Sequence, residues 1–182
     1  MQSMKHSWRA ALGALAAALW LTGCSGMGTL ETVDRVDLDR FMGDWYVIAH
    51  IPTFIEDEAY NAVESYELDD DGTVATTFTF RQGGFDGELK TYNPRGFPDA
   101  DSGNAVWGMR FVWPIKADYR IVYLDEAYSV TIIGRNKRDY VWLMAREPDM
   151  PQARYDELVA RIADMGYDLS GLRKVPQRWD EQ

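Results

Sequence analysis

The sequence predicts an all-β protein: one eight-stranded antiparallel up-and-down β-barrel, with a single α-helix packed on its outside near the C-terminus. Three observations lead there. Between residues 43 and 146, eight short apolar or alternating runs follow one another, joined by links of hairpin length. Aromatic residues reach 13%, a composition suited to strands and enclosed spaces. After residue 149 the apolar spacing changes from that of a strand to that of a helix. A chain of 182 residues, 46% hydrophobic and 26% charged, is large enough for one full core and reads as globular. It contains no internal repeat, and nothing marks a second domain.

In chain order, "DLDRFMG" reads as a short helical turn with Asp37 as its cap. Strands follow at "GDWYVIAHIP", "NAVESYEL", "TVATTFTF", "FDGELKTYNP", "AVWGMRFVWP", "ADYRIVYLD", "YSVTIIGR" and "DYVWLMAR". Asp71-Gly72 favours positive φ in the bend between the second and third, and "NKRD" links the last two. Tyr155, Leu158, Val159, Ile162 and Met165 then fall on one helical face. Asp149 is placed to cap that helix, Pro151 suits its first turn and Gly166 its end. "LRKVP" can add a short edge strand.

Alternation sorts side chains by face but leaves their use open. Val74, Thr76, Phe78 and Phe80 share a face of the third strand; Trp107, Met109, Phe111 and Trp113 share one of the fifth. In the eighth, Tyr140, Trp142, Met144 and Arg146 alternate with Val141, Leu143 and Ala145. Turned inward, these aromatics and methionines either fill the barrel or line a chamber for one small apolar molecule. In the sixth strand, Tyr119, Ile121 and Tyr123 have one phase and Arg120, Val122 and Leu124 the other, and the sequence does not say which points in.

Several function classes fall away. A net charge of −10 argues against a nucleic-acid partner and against broad attraction to anionic lipid. Without a leader carrying His6, His50 is the sole histidine; no Gly-x-Ser-x-Gly elbow is present, and one cysteine cannot build a thiolate metal site. Asp69, Asp70 and Asp71, and then Asp99 and Asp101, read as solvated turns, and "RQGGFDG" as a hairpin rather than a phosphate loop. No catalytic residue, metal or cofactor is expected.

The N-terminus has a different character. Lys5 and Arg9 precede an apolar run of about ten residues, the size of a signal-peptide core and too short to span a bilayer. Leu21, Thr22, Gly23 and Cys24 then resemble the lipobox of bacterial lipoproteins. That resemblance implies cleavage before Cys24, diacylglyceryl transfer to its sulfur and acylation of the new amine, an anchor of two or three chains. Ser25, where an Asp would signal inner-membrane retention, implies the outer membrane. The expected layout is a leader at 1–23, a lipidated tether at 24–36 and the barrel domain at 37–182. Loss of Lys5 and Arg9 takes the net charge from −10 to −12.

Two stretches carry a further resemblance. "GDWY" after a helical turn is similar to the Gly-x-Trp signature of lipocalins, and "RDYVWLMAREP" to that family's later block with its Arg. "YRIVYLDEAYSVTIIGR" resembles the block between them. The likeness runs from about Asp37 to Val175 and is nearest the bacterial outer-membrane lipoprotein subfamily, similar also to apolipoprotein D. It implies a calyx for fatty acids or lysophospholipids, facing the periplasm, in envelope maintenance or stress. It implies that Gly43, Trp45 and Arg146 are structural, with the Arg146 guanidinium stacked on Trp45 at the closed end and bonded to carbonyls of the N-terminal turn. It places Tyr66, Tyr140 and Trp142 on the ligand wall, to which the strand faces add Phe78, Phe80, Trp107, Met109 and Phe111. Arg120 or Glu64 either meets a polar head group or is exposed or salt-bridged. A lipocalin-fold enzyme and a filled structural barrel remain as alternatives, and a homodimer stays open.

Overall fold

A computed structural model of the protein describes residues 28–179. The expected leader and Cys24 lie outside the described residues, as do residues 180–182. Helix α1 (Leu38–Phe41) leads into strands β1 (Gly43–Ile51), β2 (Ala59–Leu68), β3 (Val74–Gln82), β4 (Leu89–Tyr92) and β5 (Arg95–Pro98). After a 3₁₀ turn come β6 (Val106–Val112), β7 (Ile115–Leu124), β8 (Val130–Gly134) and β9 (Val141–Ala145). Helix α2 (Gln152–Asp164) and strand β10 (Arg173–Lys174) complete the chain. Each strand pairs antiparallel with its neighbours, and β1 pairs with β9 to close the barrel. β10 adds to β1 through Ala49 and His50, while β4 pairs with β3 alone.

The fourth barrel position holds two strands: β4 falls within the expected run, and β5 begins at Arg95, just beyond its end. β4 and β5 share one place in the barrel, both against β3, and the break falls at Asn93-Pro94. Pro94 has no N–H to give, and its carbonyl instead accepts from Thr76 N at 3.1 Å. The run also starts later than expected, because Phe85–Glu88 form the turn. Gly96 in β5 lies against Trp107, where a Cβ would come within 3.0 Å of the indole ring.

Two apolar clusters form. One fills the lower barrel around Phe41, Trp45, Val47, Tyr66, Trp107 and Met144. The other lies between the wall and α2, where Leu158 and Ile162 are fully buried against residues such as Ile132, Val141 and Leu143. The helix caps differently from expectation: Pro151 is the N-cap residue and no side chain caps it, so Asp149 does not serve. Asp37 does cap α1, accepting from Arg40 N at 3.3 Å.

Residues 30–36, read as tether, instead pack on the barrel. Leu30, Val33 and Val36 recur at every third position, Leu30 and Val36 buried and Val33 half-buried, while Val33 N and Val36 N donate to Ile121 O (3.0 Å) and Gly103 O (2.8 Å). In the sixth barrel position neither simple phase holds. Tyr119 and Ile121 point in, but a bulge between Ile121 and Tyr123 turns Tyr123 out to α2 and Leu124 inward.

Candidate functional site

The closed end is built from the opening of β1. Gly43 has φ +92°, and a Cβ there would sit 3.3 Å from Arg146 Nη1, so this tight entry suits glycine alone. Trp45, two residues on, is fully buried and its Nε1 donates to Phe41 O at 2.8 Å. The Arg146 guanidinium stacks 3.9 Å from its ring centroid. Arg146 also donates to Arg40 O and Phe41 O at 3.0 Å, and to Met42 O and Asp44 O at 2.7 Å. One side chain thus satisfies the carbonyls that end α1 and ties the first strand to the last. Above Trp45, Phe41, Tyr66 and Trp107 pack at ring distances of 5.0–5.8 Å and close the floor.

Over this floor lies a polar rung. Tyr66 Oη donates to Glu64 Oε2 and lies 2.8 Å from Tyr119 Oη. Thr76 opposes Tyr66 across the β2–β3 pair, and its Oγ1 is buried. Glu64 touches only the cavity and protein, so burial raises its pKa; the nearby Glu56 charge adds to this, Tyr66 donation opposes it, and the result is about 7. Burial, with the Glu64 charge, also pushes the Tyr66 and Tyr119 hydroxyls well above their usual value.

Above the rung an apolar cavity of about 550 Å³ opens toward the barrel mouth. Phe78 and Tyr92 form one side, Met109 and Phe111 another, and Tyr140 and Trp142 a third. The β1–β2 loop reaches over it. Glu56 from that loop is buried, accepts from Trp142 Nε1 (3.0 Å) and Thr53 N (3.0 Å), and pairs with His50 Nδ1 at 3.3 Å. Burial alone would raise the Glu56 pKa, but the His50 contact, with Trp142 and Thr53, outweighs it and lowers the value. Phe54, 91% exposed, stands at the mouth with Phe111 and Val112, beside Trp113 (79% exposed) and Ile115 at the tip of the β6–β7 hairpin.

The model for a lipocalin-like domain matches residues 36–177. The chain belongs to the lipocalin family. It is 29% identical over 160 residues to temperature-induced lipocalin-1 of Arabidopsis thaliana, covering 81% of this chain and 83% of that one. It is 26% identical over 179 residues to outer membrane lipoprotein Blc of Escherichia coli (strain K12), covering 91% and 95%. Among solved structures, the cockroach allergen Per a 4 superposes with TM-score 0.63 at 18% identity, covering 84% of this chain and 94% of that one. Insecticyanin from the tobacco hornworm Manduca sexta gives 0.62 at 14%, covering 86% and 87%, a likeness of fold.

In this lipocalin, Phe78, Met109, Phe111, Tyr140 and Trp142 of the expected wall line the cavity. Tyr66 and Trp107 do not: they lie in the floor, because alternation assigns a face but not a height along the barrel. Phe80 is fully buried behind Phe78 and Tyr92, with ring distances of 5.2 and 6.2 Å. Glu64 reaches the cavity, whereas Arg120 is held by Asp118 at 3.0 Å away from it. Sequence reasoning missed Glu56 and Tyr92. Glu56 sits in "TFIEDEAY" among other carboxylates, and nothing local marks it; Tyr92 shows the alternation of its strand and could have been found that way. Among the described residues no cluster of metal-ligating side chains forms.

Proposed function

We propose that this lipocalin is a membrane-anchored carrier of single-chain lipids, fatty acids or lysophospholipids, in a bacterial envelope. The observation that carries the reading is the cavity: about 550 Å³, walled largely by aromatic and Met side chains, with mostly apolar surface. Burial of an acyl chain there would supply the affinity, at about 25 cal/mol per Å² of apolar surface. An open chamber favours this over the filled-barrel reading. The three carboxylates that line the cavity are already bonded, Glu56 to His50 and Trp142, Glu64 to Tyr66 and Asp118 to Arg120 and Asn136 N, which favours holding a ligand over turning one over.

The lipobox and the likeness to outer membrane lipoprotein Blc support the reading of an anchor at acylated Cys24 in the outer membrane, with the barrel proposed to face the periplasm. The exposed apolar mouth, Phe54 with Trp113 and Ile115, suits loading from a lipid surface. The test is a lipid extract of protein purified without detergent, followed by competition with a fluorescent fatty acid. Co-purifying, displaceable acyl compounds are expected; no displaceable occupancy by any of them overturns the proposal. Native mass spectrometry of the same sample gives the subunit count and decides between monomer and homodimer.

A further inference from the structure

The polar atoms of the cavity form a pattern. Among the described residues, three buried side-chain atoms have no hydrogen-bond partner in the protein: Thr53 Oγ1, Thr76 Oγ1 and Arg135 Nε. All three residues line this one cavity. A buried polar group without a partner is costly, so such groups in one place point to a ligand that bonds them. Thr53 belongs to the loop over the mouth, and Arg135 directly follows β8. Thr76 lies deep, 3% exposed, beside the rung of Glu64, Tyr66 and Tyr119. The one hydrogen bond to Glu64 among the described residues goes to Oε2, so Oε1 is free to bond a ligand.

We propose that the cavity takes a single-chain amphiphile head-down, with an uncharged oxygen head, a hydroxyl or a protonated carboxyl, seated on Glu64, Thr76 and Tyr119. Tyr66 holds Glu64 and Tyr119 in place, and the chain rises past Phe78 and Met109 to Phe111 at the mouth. The inference rests on the lipid-carrier reading and names the ligand class for that same cavity.

Charge decides the class. The titratable groups around Glu64 are Tyr66 on its own strand, Tyr119 and Asp118 on β7, Tyr92 on β4, and Glu56 with its partner His50. Arg135 and Tyr140 complete the set, with Arg135 already paired to Asp139 at 3.4 Å and stacked on Tyr140 at 5.1 Å. β3 and β6 offer Thr76, Phe78 and Met109, none charged. The deep end therefore holds no cation to neutralise a ligand carboxylate. A hydroxyl needs no neutralising. A carboxyl must share one proton with Glu64, whose own titration lies at about 7. Below that pH unliganded Glu64 already holds a proton, which passes into the hydrogen bond with the ligand carboxyl, and binding takes up none. Above it, binding must take a proton up, and affinity falls about tenfold per pH unit. A zwitterionic lysophospholipid head does not fit this end, and such a ligand would keep its head at the mouth.

The test displaces the neutral probe N-phenyl-1-naphthylamine from the full chain with dodecanoic acid, dodecan-1-ol or dodecanoyl lysophosphatidylcholine. Each competitor is run at pH 6 and pH 8.5 on the unaltered protein, Glu64→Gln and Thr76→Val. Dodecanoic acid should weaken at least tenfold between the two pH values, and Glu64→Gln should abolish that change. Dodecan-1-ol should bind alike at both pH values and weaken several-fold in Thr76→Val, with probe binding retained as proof of folding. A pH dependence that survives Glu64→Gln overturns the head-down seat, and so does a fatty acid that binds equally at both pH values. Displacement by the lysophospholipid in that event leaves the carrier reading standing; displacement by none of the three removes that reading too, and the inference with it.

Discussion

Replacing Trp45 by alanine tests whether this residue is the base of the barrel or part of the ligand wall. The indole is fully buried, donates to Phe41 O at 2.8 Å, packs against Phe41 at 5.0 Å and carries the Arg146 guanidinium at 3.9 Å. Truncating a buried Trp costs about 3–5 kcal/mol. The lost cation–π contact is sheltered and lies within that range, at about 1–2 kcal/mol. Phe41 O keeps a donor, because Arg146 Nη2 also reaches it at 3.0 Å, so no buried carbonyl is stranded. The expected loss is therefore about 4 kcal/mol. For a domain of this size that lowers Tm by roughly 8–16 °C, at about 2–4 °C per kcal/mol. Urea unfolding followed by near-UV circular dichroism measures the loss, and fatty-acid titration at a temperature where the variant is folded measures binding. Affinity should change less than about threefold, since Phe41, Tyr66 and Trp107 stand between Trp45 and the cavity. Binding abolished with stability intact would refute the reasoning and move Trp45 into the ligand wall.

Glu64→Gln should stabilise the unliganded protein in a pH-dependent way. The folded carboxyl titrates at about 7, above the ordinary 4.5, so folding stability is full below about pH 4.5 and falls as pH rises through 7. Glutamine avoids that loss, and urea titrations should find a gain near zero at pH 4 growing to about 2–3 kcal/mol at pH 8. Trp113→Ser alters a side chain that is 79% exposed. Tm should stay within about 1 °C, while uptake of fatty acid from vesicles slows; an unchanged transfer rate would remove the mouth from the loading route. Cys24→Ser should abolish incorporation of labelled palmitate and release the protein from the membrane fraction, with the unfolding midpoint of the barrel unchanged.

Local pattern made much of this protein legible. Strand alternation and hairpin turns depend on neighbours in sequence, so the barrel and the apolar stripe of α2 could be read directly. Gly43, Trp45 and Arg146 were placed through the resemblance to lipocalins, and the tight turn and stacked indole give the physical reason for those residue types. Other features depended on distance. Glu56 reaches Trp142 across 86 positions, and Tyr66 reaches Tyr119 across 53, pairings that no local window contains. Alternation named the inward column of each strand but not its depth, so Tyr66 and Trp107 were placed on the wall although they lie in the floor. Bulges in β1 and β7 shift the phase midway, which moves Ala49 and Tyr123 to the helix side. By itself the sequence determined the order of strands and the helix, because both rest on contacts among near neighbours; the closed-end motif was legible only through its resemblance to a family, since Trp45 and Arg146 meet from the two ends of the barrel sequence. Tertiary structure alone decided which aromatics fill the barrel and which face its cavity, and where Glu64 lies within it. Those outcomes are set by barrel closure, which fixes height, register and desolvation together.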